Sequence, residues 1–161
     1  MRNMSFAGRL RAVPILGSSA FAAVGKRVFP RADLAVQRAT GGRFSLSGTV
    51  GMPLMLLTTT GRRTGEPRVT PVTYAEDSGD LLVIGSNWGQ EHHPGWALNL
   101  RANPDATVEI HGRRIEVKAR VLAGAERDAA LALLQRVWPH FATYAKRAQH
   151  RELLVFRLTE R

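Results

Sequence analysis

Apolar positions change period along the chain. From residue 54 onward they fall in short runs bounded by turn residues, the pattern of strands. Leu54 to Thr60 is largely apolar, as a buried strand is. Gly61 to Pro67 interrupts it with glycine, threonine and charge, and Arg68 to Ala75 resumes as a hairpin partner. The cluster Glu76-Asp77-Ser78-Gly79-Asp80 predicts a turn, and Leu81 to Ser86 a third strand. Asn87 to His93 reads as a glycine-containing loop. Pro94 then takes the place expected of a first helical residue, with Trp96 and Leu100 on one helical face. Asn103-Pro104 ends that helix. Ala106 to Ile110 and Ile115 to Leu122 alternate around His111-Gly112-Arg113-Arg114, predicting a second hairpin.

Period 3.6 returns after Ala125. Leu131, Leu134 and Val137 form a helical stripe, and Glu126 and Asp128 suit the helix's positive end. Pro139 breaks or kinks the run after Trp138. A second helical stretch covers His140 to His150, and Glu152 to Leu158 is the closing strand. Upstream, Phe29 to Thr40 reads as a helix ended by Gly41-Gly42. The order is helix, three strands, short helix, two strands, helix, strand. It predicts an α+β, mainly β fold: a small closed or split β-barrel, mostly antiparallel, with flanking helices. Residues 1–42 are expected to be an N-terminal basic helical segment and 43–161 the barrel domain. A doubly wound sheet is not supported, because strands and long helices do not alternate.

Composition adds two constraints. The 161 residues contain no cysteine, which excludes disulfides and thiolate chemistry. The formal charge is +10, from 23 basic and 13 acidic residues, which favours an anionic partner or else is a solvated basic surface. Among the first 43 residues, Arg2, Arg9, Arg11, Lys26, Arg27, Arg31, Arg38 and Arg43 face only Asp33. Val13 to Gly25 is too short to cross a bilayer and, with Pro14 and two glycines, too poor for a secretory leader. The segment is expected to lie on the domain or on an anionic membrane surface. Cytoplasmic residence, with peripheral membrane contact through this segment, is the expected location. No nucleic-acid signature interleaves aromatics with the basic residues, so no specific nucleic-acid partner is expected.

The chemistry concentrates in Gly61-Arg62-Arg63-Thr64-Gly65, followed by Arg68. A hairpin tip bearing guanidinium groups and backbone N–H donors suits phosphate or carboxylate. The competing reading is an exposed turn decorated with charge. No His-x-x-x-His or carboxylate cluster predicts a metal, and no Gly-x-Ser-x-Gly element predicts hydrolysis.

Two blocks carry a resemblance: Leu-Leu-Thr-Thr-Thr-Gly-Arg-Arg-Thr-Gly-Glu-Pro-Arg-Val-Thr-Pro at 56–71, and Val-Ile-Gly-Ser-Asn-Trp-Gly at 83–89 with His-Pro-Gly-Trp-Ala-Leu-Asn-Leu at 93–100 and Asn103-Pro104. In order and spacing they resemble the deazaflavin-dependent nitroreductase family of actinobacteria, over roughly residues 30–160. That family shares the split barrel of flavin-mononucleotide-binding oxidases. The resemblance implies coenzyme F420, a tricyclic ring with a phosphodiester and polyglutamate tail, and hydride transfer to a quinone, enone or nitro compound. It also implies a separate dehydrogenase to reduce the coenzyme again. FMN on the same barrel, or a non-enzymatic cofactor-, fatty-acid- or haem-binding protein, are the alternatives. A homodimer through the barrel faces is a further possible assembly.

Residue by residue, the resemblance assigns Arg62, Arg63 and Arg68 to the coenzyme's phosphate and tail. It places Thr70, Pro71 and Val72 on the ring-side strand, with an edge strand that tolerates proline as the rival reading. It makes Gly85, Ser86, Asn87, Trp88 and Gly89 the second binding loop, asparagine standing at 87 where the family often has a cation. Ser86 is the expected donor to charge developing on the acceptor. Asn99 is a coenzyme contact. Trp96 walls the ring or tail, or packs the core. Trp138, Phe141 and Tyr144 form the expected acceptor wall, or an inward core stripe. Tyr144 alone keeps a hydroxyl where nitroimidazole-reducing relatives carry several tyrosines, so bulky flat apolar acceptors fit better.

Overall fold

The computed structural model describes residues 52–161, together with Ala32, Ala35 and Val36. Those three are helical, in keeping with the predicted upstream helix; the remainder of that helix, the basic N-terminal segment and the expected boundary at 42/43 lie outside the described residues. The described chain runs β1 (Leu54–Thr60), β2 (Pro67–Asp77), β3 (Asp80–Ile84), a single 3-10 turn (Asn87–Gly89), α1 (Gly95–Ala102), β4 (Asp105–Ile110), β5 (Arg113–Val121), α2 (Gly124–Val137), α3 (His140–Arg147) and β6 (Val155–Glu160). The strands close in the order β1-β2-β3-β6-β5-β4, every pair antiparallel, with β4 returning to β1. This is the predicted α+β barrel.

Alternation explains the packing. Met55, Leu57, Val72, Tyr74, Val83, Val108, Val117, Phe156 and Leu158 share one buried cluster with Trp96 and Leu100 of α1. Ala75, Leu82, Ile84 and Val155 belong to a second cluster with Leu134 of α2, Trp138, and Phe141 and Tyr144 of α3. Strand β3 is therefore apolar on both faces, which is why its sequence is a continuous apolar run. Arg157 on β6 adds a polar tie, pairing with Asp77 at 2.7 Å, Asp80 at 3.2 Å and Glu126 at 3.4 Å.

Several boundaries differ from the sequence reading, each for a tertiary reason. Strand β3 ends at Ile84: the Gly85 N–H still donates to the Leu154 carbonyl at 2.8 Å, in the β3–β6 register, and the chain then turns into the loop at Ser86. The closing strand starts at Val155, not Glu152, because Arg151 to Leu154 connect α3 to the barrel. Helix α3 ends at Arg147, short of His150. Pro94 is the N-cap of α1 with extended ψ 148°, one position before the helix. The second hairpin turns on His111 and Gly112 alone, both at positive φ (50° and 79°), the two-residue turn that suits strand twist. Arg113 thus pairs with Ile110 inside the ladder.

Among the described residues the amino half of β2 pairs only with β1: its register with β3 begins at Tyr74 opposite Val83. From Arg68 to Thr73 one strand edge has no partner among the described residues, so Pro71 sits where a missing N–H costs no ladder bond there. Here the barrel is split, and here the cavity lies.

Candidate active site

A cavity of about 780 Å³ occupies the split. One side is the β1–β2 turn and open edge: Arg62, Arg63, Arg68, Thr70, Pro71 and Val72. The loop after β3 adds Ser86, Asn87 and Trp88; α1 adds Trp96 and Asn99; the α2–α3 corner adds Trp138, Phe141 and Tyr144. The structure thus gathers fourteen of the sixteen residues named from the sequence around one hollow. Gly85 and Gly89 are not among its lining residues. Gly85 is packed behind the wall against Ala97 and Pro94, and Gly89, at φ 77°, lies so near α3 that a Cβ would sit 2.7 Å from the Arg147 Cβ.

The turn is built by its own backbone. The Gly61 N–H donates to the Glu66 carbonyl at 2.8 Å, and the Thr64 and Gly65 N–H groups to the Gly61 carbonyl. A Cβ on Gly61 would meet the Thr64 hydroxyl at 2.9 Å and the Glu66 carbonyl at 3.1 Å, so any larger residue would force the turn to shift. The backbone donors expected to face an anion are therefore largely spent inside the turn, while the guanidinium groups remain. Arg62, Arg63 and Arg68 are exposed, and none forms an ion pair among the described residues. Arg62 is held from behind: its backbone N–H and Nη1 both donate to Asn99 Oδ1, at 3.2 and 3.4 Å. Asn99, buried on α1, donates its amide to the Thr59 hydroxyl at 3.1 Å. Asn99 is thus placed as the anchor of the turn.

The other wall is aromatic. Trp138 caps α2 and Pro139 starts the turn into α3, so Trp138 reaches the cavity from one side of the break and Phe141 and Tyr144 from the other. The three do not share one uninterrupted helical face. Tyr144 packs edge-on to Phe141 at 6.3 Å and tilted to Trp88 at 5.7 Å. Burial pushes the Tyr144 hydroxyl above the ordinary phenol range, against an opposing hydrogen bond from Trp138 and the nearby Arg147 charge. The phenol therefore stays protonated at neutral pH. Trp96 lines the cavity and also packs on Phe156 at 5.9 Å.

Between the walls runs the loop of Ser86 to Gln90. Asn87 and Trp88 adopt positive φ (45° and 58°). Asparagine tolerates that region; tryptophan there is uncommon and is held by its surroundings. The Asn87 side chain donates to the His92 carbonyl at 2.8 Å. Two residues absent from the predicted site complete this region. His93 lines the cavity, and Arg151, between α3 and β6, donates to the carbonyls of Gly85, Ser86 and Gln90. No local pattern marks Arg151, because its partners are 61–66 positions away. His93 was visible only as part of a motif. Among the described residues no group of three or more His, Cys, Asp or Glu could hold a metal, and no helix is long and apolar enough to cross a membrane.

The arrangement fits an elongated anionic ligand with a flat ring: cations with no ion-pair partner among the described residues at the turn, an apolar aromatic wall, and polar groups on the same cavity. Comparison with known proteins agrees. An F420H(2)-dependent quinone reductase of Mycobacterium tuberculosis is 36% identical over 104 residues, spanning 65% of this chain and 66% of that protein, just under two thirds of its length. A solved F420-H2-dependent reductase aligns with a TM-score of 0.61 at 32% identity, covering 66% of this chain and 93% of the other. A second structure, described as a domain-swapped dimer, aligns at 0.63 with 28% identity, covering 77% and 93%. The model of the F420H(2)-dependent quinone reductase family matches residues 29–160, and the chain belongs to that family.

Proposed function

We propose that the protein transfers hydride from reduced coenzyme F420 to a quinone. The observation that carries this reading is the cavity's mixed lining: three arginines without ion-pair partners among the described residues, together with the aromatic side chains of Trp138, Phe141 and Tyr144. Arg62, Arg63 and Arg68 would hold the phosphodiester and acidic tail through bidentate, charge-assisted bonds. The open edge at Thr70 to Val72, with Trp96, would flank the ring. When bound, the reduced deazaflavin supplies the hydride; the protein supplies orientation and a water-poor recess. Ser86 and Tyr144 would donate hydrogen bonds to the acceptor oxygens, where negative charge grows as hydride arrives. The apolar wall favours a flat, weakly polar acceptor. Sustained turnover requires a separate dehydrogenase to reduce the coenzyme again, and the domain-swapped relative favours a homodimer.

The test is a fluorescence titration with F420, then oxidation of F420H2 by menadione. The double variant Arg63→Ala, Arg68→Ala should bind F420 about 10- to 100-fold more weakly, the scale of two lost charge-assisted bonds at an exposed site. FMN, which lacks the polyglutamate tail, should lose less. Equal F420 titrations for variant and parent would refute the assignment.

A further inference from the structure

Arg151 carries a charge that no carboxylate pairs among the described residues. Its Nε donates to the Gln90 carbonyl at 3.0 Å, Nη1 to the Gly85 carbonyl at 3.1 Å and Nη2 to the Ser86 carbonyl at 2.9 Å. Nη1 also lies 3.1 Å from Nδ1 of His93. A guanidinium has donors and no acceptor. The contact with His93 is therefore a hydrogen bond only if Nδ1 accepts, and a neutral His93 then carries its proton on Nε2. Protonating Nδ1 would turn an N–H against the guanidinium. Burial and the charges of Arg151 and Arg101 also hold the His93 pKa below the usual imidazole value. The Nε2 atom has no partner among the described residues and is not sealed from solvent. His93 lines the cavity beside Ser86, Asn87 and Pro94.

We propose that His93 is a ligand-contacting hydrogen-bond donor whose Nε2–H, fixed in that tautomer by Arg151, binds a carbonyl oxygen of the hydride acceptor. The inference rests on the quinone-reductase reading above. A neutral N–H suits a carbonyl better than a phosphate, because it adds no charge. Of the arginines proposed to bind the anion, Arg62 is tied to Asn99, about 7 Å of helix rise along α1 from Pro94. Reduction of the quinone to the hydroquinone takes up a hydride from the proposed coenzyme and one proton from water, and one proton returns to water on coenzyme oxidation. His93 keeps its own proton throughout: neutral imidazole is far too weak an acid to release it, and it acts by stabilising charge on oxygen. Arg151 is a positioning residue, acting through His93 and the loop carbonyls.

Long-range proton–nitrogen NMR of the intact, ligand-free chain reads the tautomer directly. His93 should appear neutral and protonated on Nε2, and Arg151→Lys, which keeps the charge and loses the fork, should mix the tautomers. In turnover, His93→Phe should lower kcat/KM for menadione about tenfold, the scale of one hydrogen bond, while F420 affinity stays within about twofold. His93→Gln should recover most of that loss, since an amide offers both an acceptor to Arg151 and an outward N–H. An Nδ1–H or doubly protonated His93 at neutral pH overturns the proposal. So does a Phe variant equal to the parent, or a Gln variant no better than Phe. A parent chain that does not bind F420 overturns the reductase reading and the acceptor with it, whereas a parent that binds F420 with an inert His93→Phe change overturns the role of His93 alone.

Discussion

Asn99 joins three parts of the molecule through one amide. Its oxygen takes the Arg62 backbone and guanidinium, and its nitrogen reaches Thr59, which is 1% exposed. The family resemblance pointed to this residue as a coenzyme contact, and it also anchors the turn that carries Arg62. Asn99→Ala leaves the Thr59 hydroxyl and the Arg62 N–H short of partners. It should reduce unfolding free energy by about 1–3 kcal/mol, measured by urea denaturation. F420 affinity should fall several-fold with it, because Arg62 loses its backing. Tyr144 shows the same coupling of burial and chemistry. Its raised pKa means the folded state holds the phenolic proton more tightly than the unfolded chain, so this contribution to stability is intact below about pH 10 and lost as pH rises beyond it.

Helices α2 and α3 deliver the aromatic wall, and Leu134 seats them. It is fully buried in the cluster that also holds Ile84, Trp138 and Phe141. Leu134→Ala should cost about 2–5 kcal/mol, again by urea denaturation, through lost contacts and the cavity left behind. The KM for menadione should rise with it, since Trp138 and Phe141 pack around the same side chain. At this scale the sequence was most legible. The strand runs, the helical stripe ending at Trp138 and the break at Pro139 follow from periodicity and backbone chemistry that each residue carries itself. Element ends were less legible, because distant pairings decide them: the last bond in the β3–β6 register, from the Gly85 N–H, goes to Leu154, and no neighbour in sequence announces it. The site divides the same way. Arg62, Arg63 and Arg68 stood out as a local cluster, whereas Arg151 acquires its role only through contacts with residues 85–93.

Across the whole molecule, the charge of +10 acts through its exposed arginines. Fields from exposed charges are screened over about 10 Å at 0.1 M salt. F420 binding should therefore weaken about tenfold as NaCl rises from about 50 to 500 mM, followed by fluorescence titration. A flat response would place the coenzyme's acidic end away from the hairpin arginines. Net charge was plain in the sequence, but the place where it matters was not. The fold exposes three guanidinium groups beside an apolar hollow and ties Arg157 into an acidic cluster on β2, β3 and α2.

Because β4 returns to β1, most of the sheet has no free margin on which a foreign strand can be added. The short exception, Arg68 to Thr73 on β2, is interrupted by Pro71 and faces the hollow. The barrel thereby resists the ladder-on-ladder growth that open sheets invite. Two copies meeting at their walls would have to join through side chains or trade a segment, and a coenzyme filling the hollow would stop up the last gap in the weave.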